Sequence, residues 1–472
     1  MAEHGKYLRF DGRLLLLGFG AIGRGVLPLL LRHIDLRPGQ ITILRAHSHA
    51  ADPVHAMGVR QIVEPLRRDN YQAVLSRHVG RGDLVLNLSV NVSSLALIEY
   101  CQQQGILYLD ACLEPWEGGH FDTGLTPAQR SNYAFREAAL ALRERYGARA
   151  ATAVINHGVN PGLVSHFLKQ ALLNLAKDHG MVATPTTRVD WAQLAQRLDI
   201  RTIHIAERDS QYGSWQKRRG EFVNTWSCEA FVDESCQPAE LGWGTHERHW
   251  PAAARRYGFG RDCAIYLERP GAAVRVRSWT PIEGAYHGFL ISHGEAISIA
   301  DYLTVRQENK VVYRPTVHYA YHPCDDAVQS LHELAGKNWQ MQPRQRLLMD
   351  DIVEGIDELG VLLMGPRRGA YWYGSQLSTA EARRLVPCNS ATTLQVTAGV
   401  LGGVVWALRH PAQGITEPDA MDHVEVLDVA RPYLGPMLGV STAWTPLEGR
   451  GRLFEENLDR SDPWQFCNFL VE

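Results

Sequence analysis

Residues 13–23 read RLLLLGFGAIG, and this stretch decides the fold of the N-terminal part of the chain. Residues 13–17 predict a short buried strand, and glycines at positions 18, 20 and 23 follow it immediately. In such a G-x-G-x-x-G pattern the first glycine allows a tight turn. The second lets the backbone approach a pyrophosphate, and the third lets helix pack on strand. The apolar segment Val26–Ile34 has helical periodicity, so the pattern predicts a dinucleotide-binding unit with free N–H groups at the helix start.

The residues after this motif continue an alternation of strands and helices. Further strands are predicted at Ile41–Leu44, Leu84–Leu88 and Leu107–Asp110, with a helix near Leu95–Gln104. We therefore predict an α/β fold that begins with a Rossmann-type, doubly wound parallel sheet. From about residue 150 the alternation is lost, and aromatic, acidic and glycine residues are mixed. That change predicts a second, α+β domain that holds the substrate.

The end of the second predicted strand lacks the carboxylate that normally holds the adenosine ribose hydroxyls. The strand runs into Arg45-Ala46-His47, and the first acid beyond it is Asp52. Because Arg45 could also contact a 2′-phosphate, this position leaves the choice between NAD and NADP open.

Composition and charge exclude several classes of function. The 472 residues are 45% hydrophobic and 21% charged, which is typical of globular proteins. The formal net charge is −3, so no global field attracts nucleic acid or an anionic membrane. The eight cysteines form no CxxC pair, and His246 and His249 are spaced i,i+3 rather than i,i+4. We therefore predict reduced thiols and no metal site.

The N-terminus and the apolar stretches indicate where the protein acts. The N-terminal residues MAEHGKYLRFDG have no signal-peptide pattern, which predicts a cytoplasmic protein. The longest apolar stretch, Leu394–Leu408, is too short to span a bilayer, so we predict no membrane partner. The sequence contains neither a GxSxG elbow nor a P-loop lysine motif, so hydrolase and NTPase functions have no support.

Acids and tryptophans are interspersed between residues 207 and 247. Glu207, Trp226 and Glu234 precede the segment Trp243–Glu247. An indole face attracts an ammonium by about 0.5–2 kcal/mol, and a carboxylate adds charge-assisted hydrogen bonds. This combination is typical of a site for a cationic ligand. Most of the twelve tryptophans are nevertheless expected in the core, and spacing alone does not favour Trp226 over Trp215.

Two further segments carry candidate polar groups. The residues NHGVNPG (156–162) predict a turn that caps a helix over Leu163–Leu175. This turn could orient polar groups toward a nicotinamide, or it could be an ordinary hinge. Gly288–Ala296 predicts a strand that ends in a turn at His293, which could move protons near neutral pH or be satisfied by neighbouring backbone groups.

Nine sequence blocks lie along nearly the whole chain. In chain order they are GFGAIGRGVLPLLLRH, NLSVNVSS, YLDACLEPW, NHGVNPG, NTWS, GWGTHE, SHGEAISIADYLTV, DELGVLLMG and AYWYGSQLS. Together they resemble the bacterial-type homospermidine synthases, a family within the saccharopine dehydrogenase-like group. The resemblance implies an NAD-dependent enzyme that joins two putrescines into sym-homospermidine and releases ammonia. One amine would be oxidised to an imine, the second putrescine would condense with it, and the stored hydride would return.

The resemblance also implies roles for particular residues. The indole of Trp226 would face the cationic intermediate, and Asn160 would lie beside the nicotinamide. Four residues would arrange the amines and move protons, namely Glu207, Glu234, His293 and Asp357. The expected cofactor contacts are Gly18, Gly20, Ala21, Ile22, Gly23, Ser89, Asn91, Asp110, Glu114 and Asn160.

Domain boundaries and a homodimer follow from the same resemblance. We predict a dinucleotide-binding domain over residues 1–155, a substrate and dimerisation domain over residues 156–388, and a C-terminal segment over residues 436–472. Residues 389–435 would pack back onto the first domain. The resemblance leaves open which other amines, including spermidine, are accepted.

Two alternatives remain at this point. The nearest is another saccharopine dehydrogenase-like reductase, such as a carboxyspermidine or saccharopine dehydrogenase, whose substrate carries a carboxylate. Such a substrate needs a cationic clamp, for which Arg367 and Arg368 are the candidates. The other is a nucleotide-binding sensor that kept the fold and lost the chemistry. The acids around Trp226 argue against a sensor, since a sensor needs no site for a cation.

Overall fold

A computed structural model describes residues 5–47, 57–366 and 369–471 of the chain. Its helices are α1 (Ala21–His33), α2 (Tyr71–His78), α3 (Ser94–Gln104), α4 (Asn132–Tyr146), α5 (Leu163–Asp178), α6 (Arg188–Arg197), α7 (Cys228–Cys236), α8 (Gly294–Tyr302), α9 (Asp325–Gly336), α10 (Thr379–Leu385), α11 (Ala391–Arg409), α12 (His423–Ala430) and α13 (Phe466–Phe469). Its strands are β1 (Leu8–Arg9), β2 (Leu14–Leu17), β3 (Ile34–Asp35), β4 (Ile41–Arg45), β5 (Arg60–Val63), β6 (Leu84–Asn87), β7 (Leu107–Asp110), β8 (Ala153–Val154), β9 (Thr202–Asp209), β10 (Tyr212–Gly213), β11 (Glu221–Asn224), β12 (Pro238–Gly242), β13 (Ala254–Arg256), β14 (Ala264–Pro270), β15 (Arg275–Thr280), β16 (Gly284–Phe289), β17 (Val305–Gln307), β18 (Lys310–Tyr313), β19 (Thr316–His322), β20 (Arg344–Leu347), β21 (Ile352–Glu354), β22 (Ile356–Gly365), β23 (Gly369–Ser378), β24 (Ile415–Thr416), β25 (Met437–Thr442) and β26 (Leu470–Val471).

The chain forms two compact units. Unit 1 comprises Met1–Leu125, Ala134–Leu163 and Ala380–Leu434, and unit 2 comprises Thr126–Tyr133, Val164–Thr379 and Gly435–Glu472. This division differs from the predicted boundaries in several places, since residues 156–163 and 380–388 belong to unit 1. Residues 126–133 belong to unit 2, and so does the C-terminal segment, because β25 pairs with β23 and β26 pairs with β15 in the sheet of that unit.

Unit 1 is built around a parallel sheet with the strand order β24-β8-β7-β6-β2-β4-β5. The predicted strands at 13–17, 41–44, 84–88 and 107–110 form β2, β4, β6 and β7 of this sheet. The order changes direction at β2, which lies between β4 and β6. In doubly wound sheets a nucleotide binds at such a switch point. The predicted Rossmann-type α/β fold is confirmed.

The long apolar helix α11 is the core helix of unit 1. The expectation that its apolar stretch is too short to span a bilayer is wrong, since α11 could cross one by length and composition, but 89% of its apolar window is buried inside the protein. It packs against α1, where a Cβ on Gly25 would lie 3.0 Å from Thr397 Cγ2. It also approaches the turn before α5, since a Cβ on Gly399 would lie 2.0 Å from Gly158 O. Helix α11 therefore fixes both elements within one core.

Unit 2 contains a mixed sheet in which β9 pairs with β19 in parallel and with β22 antiparallel. Helices accompany this sheet, so the predicted α+β character of the second part is confirmed. The register pairs Tyr321 with Glu207 on the next strand, and Asp357 with Asp209. Because paired residues share a face and side chains alternate along a strand, these four residues and Tyr319 all lie on one face. We call this surface the acidic face.

Candidate active site

The three glycines of the 18–23 motif lie in different structural environments. Gly18 has φ +82°, and a Cβ there would lie 2.5 Å from Leu88 O. A Cβ on Gly23 would lie 2.9 Å from Gly18 O, so both positions require glycine for the fold. Gly20 caps the N-terminus of α1, and apart from its chain neighbours and the helix backbone, no atom of the described residues lies within 4 Å of a Cβ built there. The open space at a helix N-terminus fits a pyrophosphate.

Gly20→Ala is expected to weaken NAD binding about tenfold without unfolding unit 1, because the methyl group enters the space that the pyrophosphate would fill. The measurements are an NADH fluorescence titration and the thermal midpoint without cofactor. Gly23→Ala is the matched control, since its Cβ meets the backbone and should lower the thermal midpoint. Unchanged NAD affinity in Gly20→Ala would place the phosphates elsewhere.

The other predicted cofactor contacts of unit 1 lie near the ends of its strands. Ala21 and Ile22 form the first turn of α1, and Ser89 and Asn91 follow β6, the neighbour of β2. The Ser89 hydroxyl donates to Asn87 Oδ1 at 2.6 Å. Glu114 Oε2 lies 3.4 Å from His120 Nε2. These positions are compatible with cofactor contacts, which stay predictions.

The ribose end of the proposed cofactor site has an arginine in place of an acid. Arg45 is buried, and its Nε donates to His47 O at 2.6 Å. Asp52 lies outside the described residues, and so do Arg367 and Arg368. The ribose contacts and the proposed carboxylate clamp therefore stay predictions.

Asp110 is enclosed at the end of β7. Its carboxylate accepts hydrogen bonds from Asn156 N at 2.7 Å and from the Tyr108 hydroxyl at 2.8 Å. Burial raises the pKa of Asp110 from 3.8 to about 7. Asn156 has φ +58° and begins the turn that contains Asn160 and leads into α5, which starts at Leu163 as predicted. Asp110 thus holds the backbone of the turn that carries Asn160.

The raised pKa of Asp110 predicts a pH dependence of stability. The folded protein binds this proton more tightly than the unfolded chain, so the contribution is full below pH 3.8 and lost as pH rises through about 7. Asp110→Asn removes the titration. Its stability relative to the parent protein should therefore increase from pH 5 to pH 8 by on the order of 2 kcal/mol. Chemical denaturation at both pH values measures this difference, and a constant difference would mean that Asp110 stays ionised in the folded protein.

In unit 2, Glu207 is tied to the aromatic residues of β19. It is 2% exposed, and its Oε2 accepts a hydrogen bond from the Tyr319 hydroxyl at 2.5 Å. The Tyr319 ring stacks on Tyr321 at 5.1 Å between centroids and lies 4.6 Å from the His293 ring. Tyr319 therefore contacts both of the predicted residues Glu207 and His293.

His293 lies between two buried glutamates. Its Nε2 is 2.9 Å from Glu234 Oε2, and its Nδ1 is 3.2 Å from Glu295 Oε1. Burial alone would lower the pKa of His293, but the charges and hydrogen bonds of both glutamates outweigh burial and raise it well above its ordinary value. The two glutamates therefore favour the charged imidazolium form of His293, whose ring nitrogens both face carboxylates.

Trp226 lies between β11 and α7 in a turn fixed by hydrogen bonds. The hydroxyl of the preceding Thr225 donates to Asp209 Oδ2 at 2.7 Å, and Asn224 Nδ2 donates to Ser227 O at 2.8 Å. Asp209 on the acidic face thus fixes the residue next to the indole. Trp215 is instead 48% exposed, and the Arg346 guanidinium already lies 5.3 Å from its ring centre. This arrangement favours Trp226 for a ligand cation.

The structure brings five of the predicted residues together in unit 2. Tyr319 contacts both Glu207 and His293, and His293 in turn contacts Glu234. Asp209 accepts a hydrogen bond from Thr225, the residue before Trp226. Asp357 is fully buried and is the register partner of Asp209. Asn160 belongs to unit 1. Sequence reasoning assigned no role to Tyr319, Tyr321 or Glu295, nor to Phe231, whose ring lies 5.8 Å from Trp226. The alternation in TVHYAYH (316–322) could have indicated both tyrosines, because residues two apart on a strand share a face.

Two family models match successive parts of the chain. The family model of the saccharopine dehydrogenase NADP binding domain matches residues 14–154, and that of the saccharopine dehydrogenase C-terminal domain matches residues 158–440. The homospermidine synthase of Blastochloris viridis is 52% identical over 477 residues, which cover 100% of both chains. The chain belongs to the homospermidine synthase family. The homospermidine synthase of Mesorhizobium japonicum is 48% identical and covers 98% of this chain and 97% of its own.

Solved structures support the same family assignment. The crystal structure of the homospermidine synthase from Legionella pneumophila in complex with NAD has a TM-score of 0.92 at 48% identity, with 98% of each chain covered. A saccharopine dehydrogenase from Saccharomyces cerevisiae has a TM-score of 0.51 at 11% identity, covering 92% of this chain and 100% of its own, which shows the fold alone. The resemblance to homospermidine synthases is confirmed, and it is favoured over the carboxyspermidine and saccharopine dehydrogenase alternatives.

Proposed function

We propose that this protein is a homospermidine synthase that condenses two putrescines into sym-homospermidine and releases ammonia, with NAD as its cofactor. The observation that carries the proposal is the acidic face, where buried carboxylates of β9 and β22 lie beside stacked tyrosines. Carboxylates and aromatic rings together bind an alkyl diammonium ion, whose ends are charged and whose middle is apolar. Full-length identity to homospermidine synthases supports the same substrate class.

When bound, NAD would supply a temporary hydride acceptor for the oxidation of the first amine and the reduction of the final imine, so that no net oxidation occurs. The 18–23 motif at the start of α1 would hold the pyrophosphate of NAD. Asn160 would lie on the nicotinamide side. The open space at Gly20 supports this placement.

The residues of unit 2 supply binding and proton transfer in this proposal. A diamine must lose one proton before hydride transfer, while its other end stays charged. Glu207 and Asp357 hold the amine ends, and Glu207 accepts the proton. His293, held as an imidazolium by Glu234, gives a proton to the departing ammonia. The Trp226 indole faces the cationic imine, and the buried site limits its hydrolysis.

We also infer that the protein is a homodimer, from the same family likeness. Analytical ultracentrifugation of the purified protein tests the oligomeric state.

The deciding experiment is mass spectrometry of the products formed from NAD and isotopically labelled putrescine. We expect homospermidine that carries label from two putrescines, with no accumulation of NADH. Accumulating NADH with a free aminoaldehyde, or no product, would contradict the proposal. The carboxylate-bearing substrates of related reductases would then be tested next.

A further inference from the structure

Tyr321 carries a buried hydroxyl group that forms no hydrogen bond with any described residue. The residue lies on β19 as the register partner of Glu207 and is 1% exposed. Among the described residues, its hydroxyl oxygen has no hydrogen-bond partner. Burying a hydroxyl without a partner destabilises a protein, so a phenylalanine would serve the fold better at this position. An unused buried hydroxyl in a binding site therefore indicates a contact to a ligand.

The surroundings of this hydroxyl suit a cation. Tyr321 lies on the acidic face with Glu207, Asp209 and Asp357, and their negative charge adds to burial in raising the pKa of its phenol. Glu207 accepts the hydroxyl of Tyr319, and Asp209 accepts those of other residues, including Thr225. The Tyr321 hydroxyl donates to none of these carboxylates. Its oxygen is thus an acceptor placed among negative charges.

The ring of Tyr321 is held rigidly. Tyr319 stacks on it with an interplanar angle of 10°, and Phe231 lies edge-on at 5.6 Å. Phe231 in turn lies 5.8 Å from Trp226. These contacts link Trp226, Phe231, Tyr321 and Tyr319 into one row of aromatic rings, in which Tyr321 is an inner member. Because neighbouring rings hold the Tyr321 ring in place, its hydroxyl is preorganised for a ligand contact.

We propose that Tyr321 determines specificity for the primary amine, with its hydroxyl oxygen accepting a hydrogen bond from the terminal ammonium of the diamine. A primary ammonium has three N–H donors, one of which this oxygen would accept beside the carboxylates of the acidic face. The inference rests on the proposed function and names a further contact in the same site.

Tyr321→Phe tests the contact, because it removes the oxygen and keeps the row of aromatic rings. We expect the KM for putrescine to rise about tenfold or more, with a smaller change in kcat and unchanged NAD affinity. The thermal midpoint without substrate should stay equal or rise, because an unpartnered hydroxyl is lost. Tyr313→Phe is the matched control, since that hydroxyl donates to Ile200 O at 2.7 Å. It should lower the thermal midpoint and leave the KM unchanged.

An unchanged KM in Tyr321→Phe, or a thermal midpoint that falls as in Tyr313→Phe, would overturn the inference. If the parent protein makes no homospermidine, the proposed function fails separately. In that case the contact is tested by calorimetric titration with putrescine, which compares the putrescine affinity of the NAD-loaded parent and Tyr321→Phe proteins. Weaker binding by the variant supports it, and equal or absent binding contradicts it.

Discussion

Glu207→Gln is expected to lower kcat/KM for putrescine about 100-fold or more while NAD affinity stays unchanged. The amide is isosteric and still accepts the Tyr319 hydroxyl, so the stacked tyrosines stay in place. The variant loses the negative charge that holds an ammonium ion, and leaving a buried charge without its partner costs about 3–5 kcal/mol. Steady-state kinetics with putrescine and an NADH fluorescence titration measure the two effects separately.

Glu358→Gln is the matched control for Glu207→Gln. Glu358 is also buried and lies on the next residue of β22 after Asp357, so its side chain points to the opposite face. It accepts hydrogen bonds from the Thr280 hydroxyl at 2.8 Å and from Ile282 N at 3.0 Å. This variant should lose stability and keep its kinetics. If Glu207→Gln instead weakens NAD and putrescine use equally, Glu207 has a structural role.

The fold could be predicted because its signals are local. The run of leucines before Gly18 and the helical period after Gly23 lie within one short stretch of chain, and both are present as β2 and α1. The unit to which the C-terminal segment belongs could not be predicted in this way. Strand β25 pairs with β23, which is distant in sequence, and no periodicity within β25 specifies that partner.

The types of residue in the candidate site could be predicted from the sequence, but the contacts between those residues could not. Acids and an indole indicated a site for a cation, but the link from Glu207 to His293 passes through Tyr319, on a strand more than a hundred residues away from Glu207. The charge of His293 also depends on distant residues. A histidine at a strand end suggests a group that titrates near neutral pH, whereas Glu234 on another helix raises its pKa.

Trp226→Ala should lower kcat/KM for putrescine about thirtyfold or more without unfolding the protein. A desolvated cation over an indole gains about 2 kcal/mol or more, which is about thirtyfold in rate when the charge develops in the transition state. The turn around Trp226 is fixed by Thr225 and Ser227 rather than by the indole, so the backbone should keep its position. Trp226→Phe keeps a weaker aromatic face and should recover part of the loss.

Trp215→Ala separates a specific effect of Trp226 from a general effect of removing an indole. Trp215 already has the Arg346 guanidinium over its ring and is half exposed, so its loss should leave kcat/KM unchanged. Circular dichroism and the thermal midpoint of each variant confirm that the proteins are folded. Normal turnover in Trp226→Ala would remove the indole from the reaction, and the cationic imine would then be stabilised by the carboxylates of the acidic face alone.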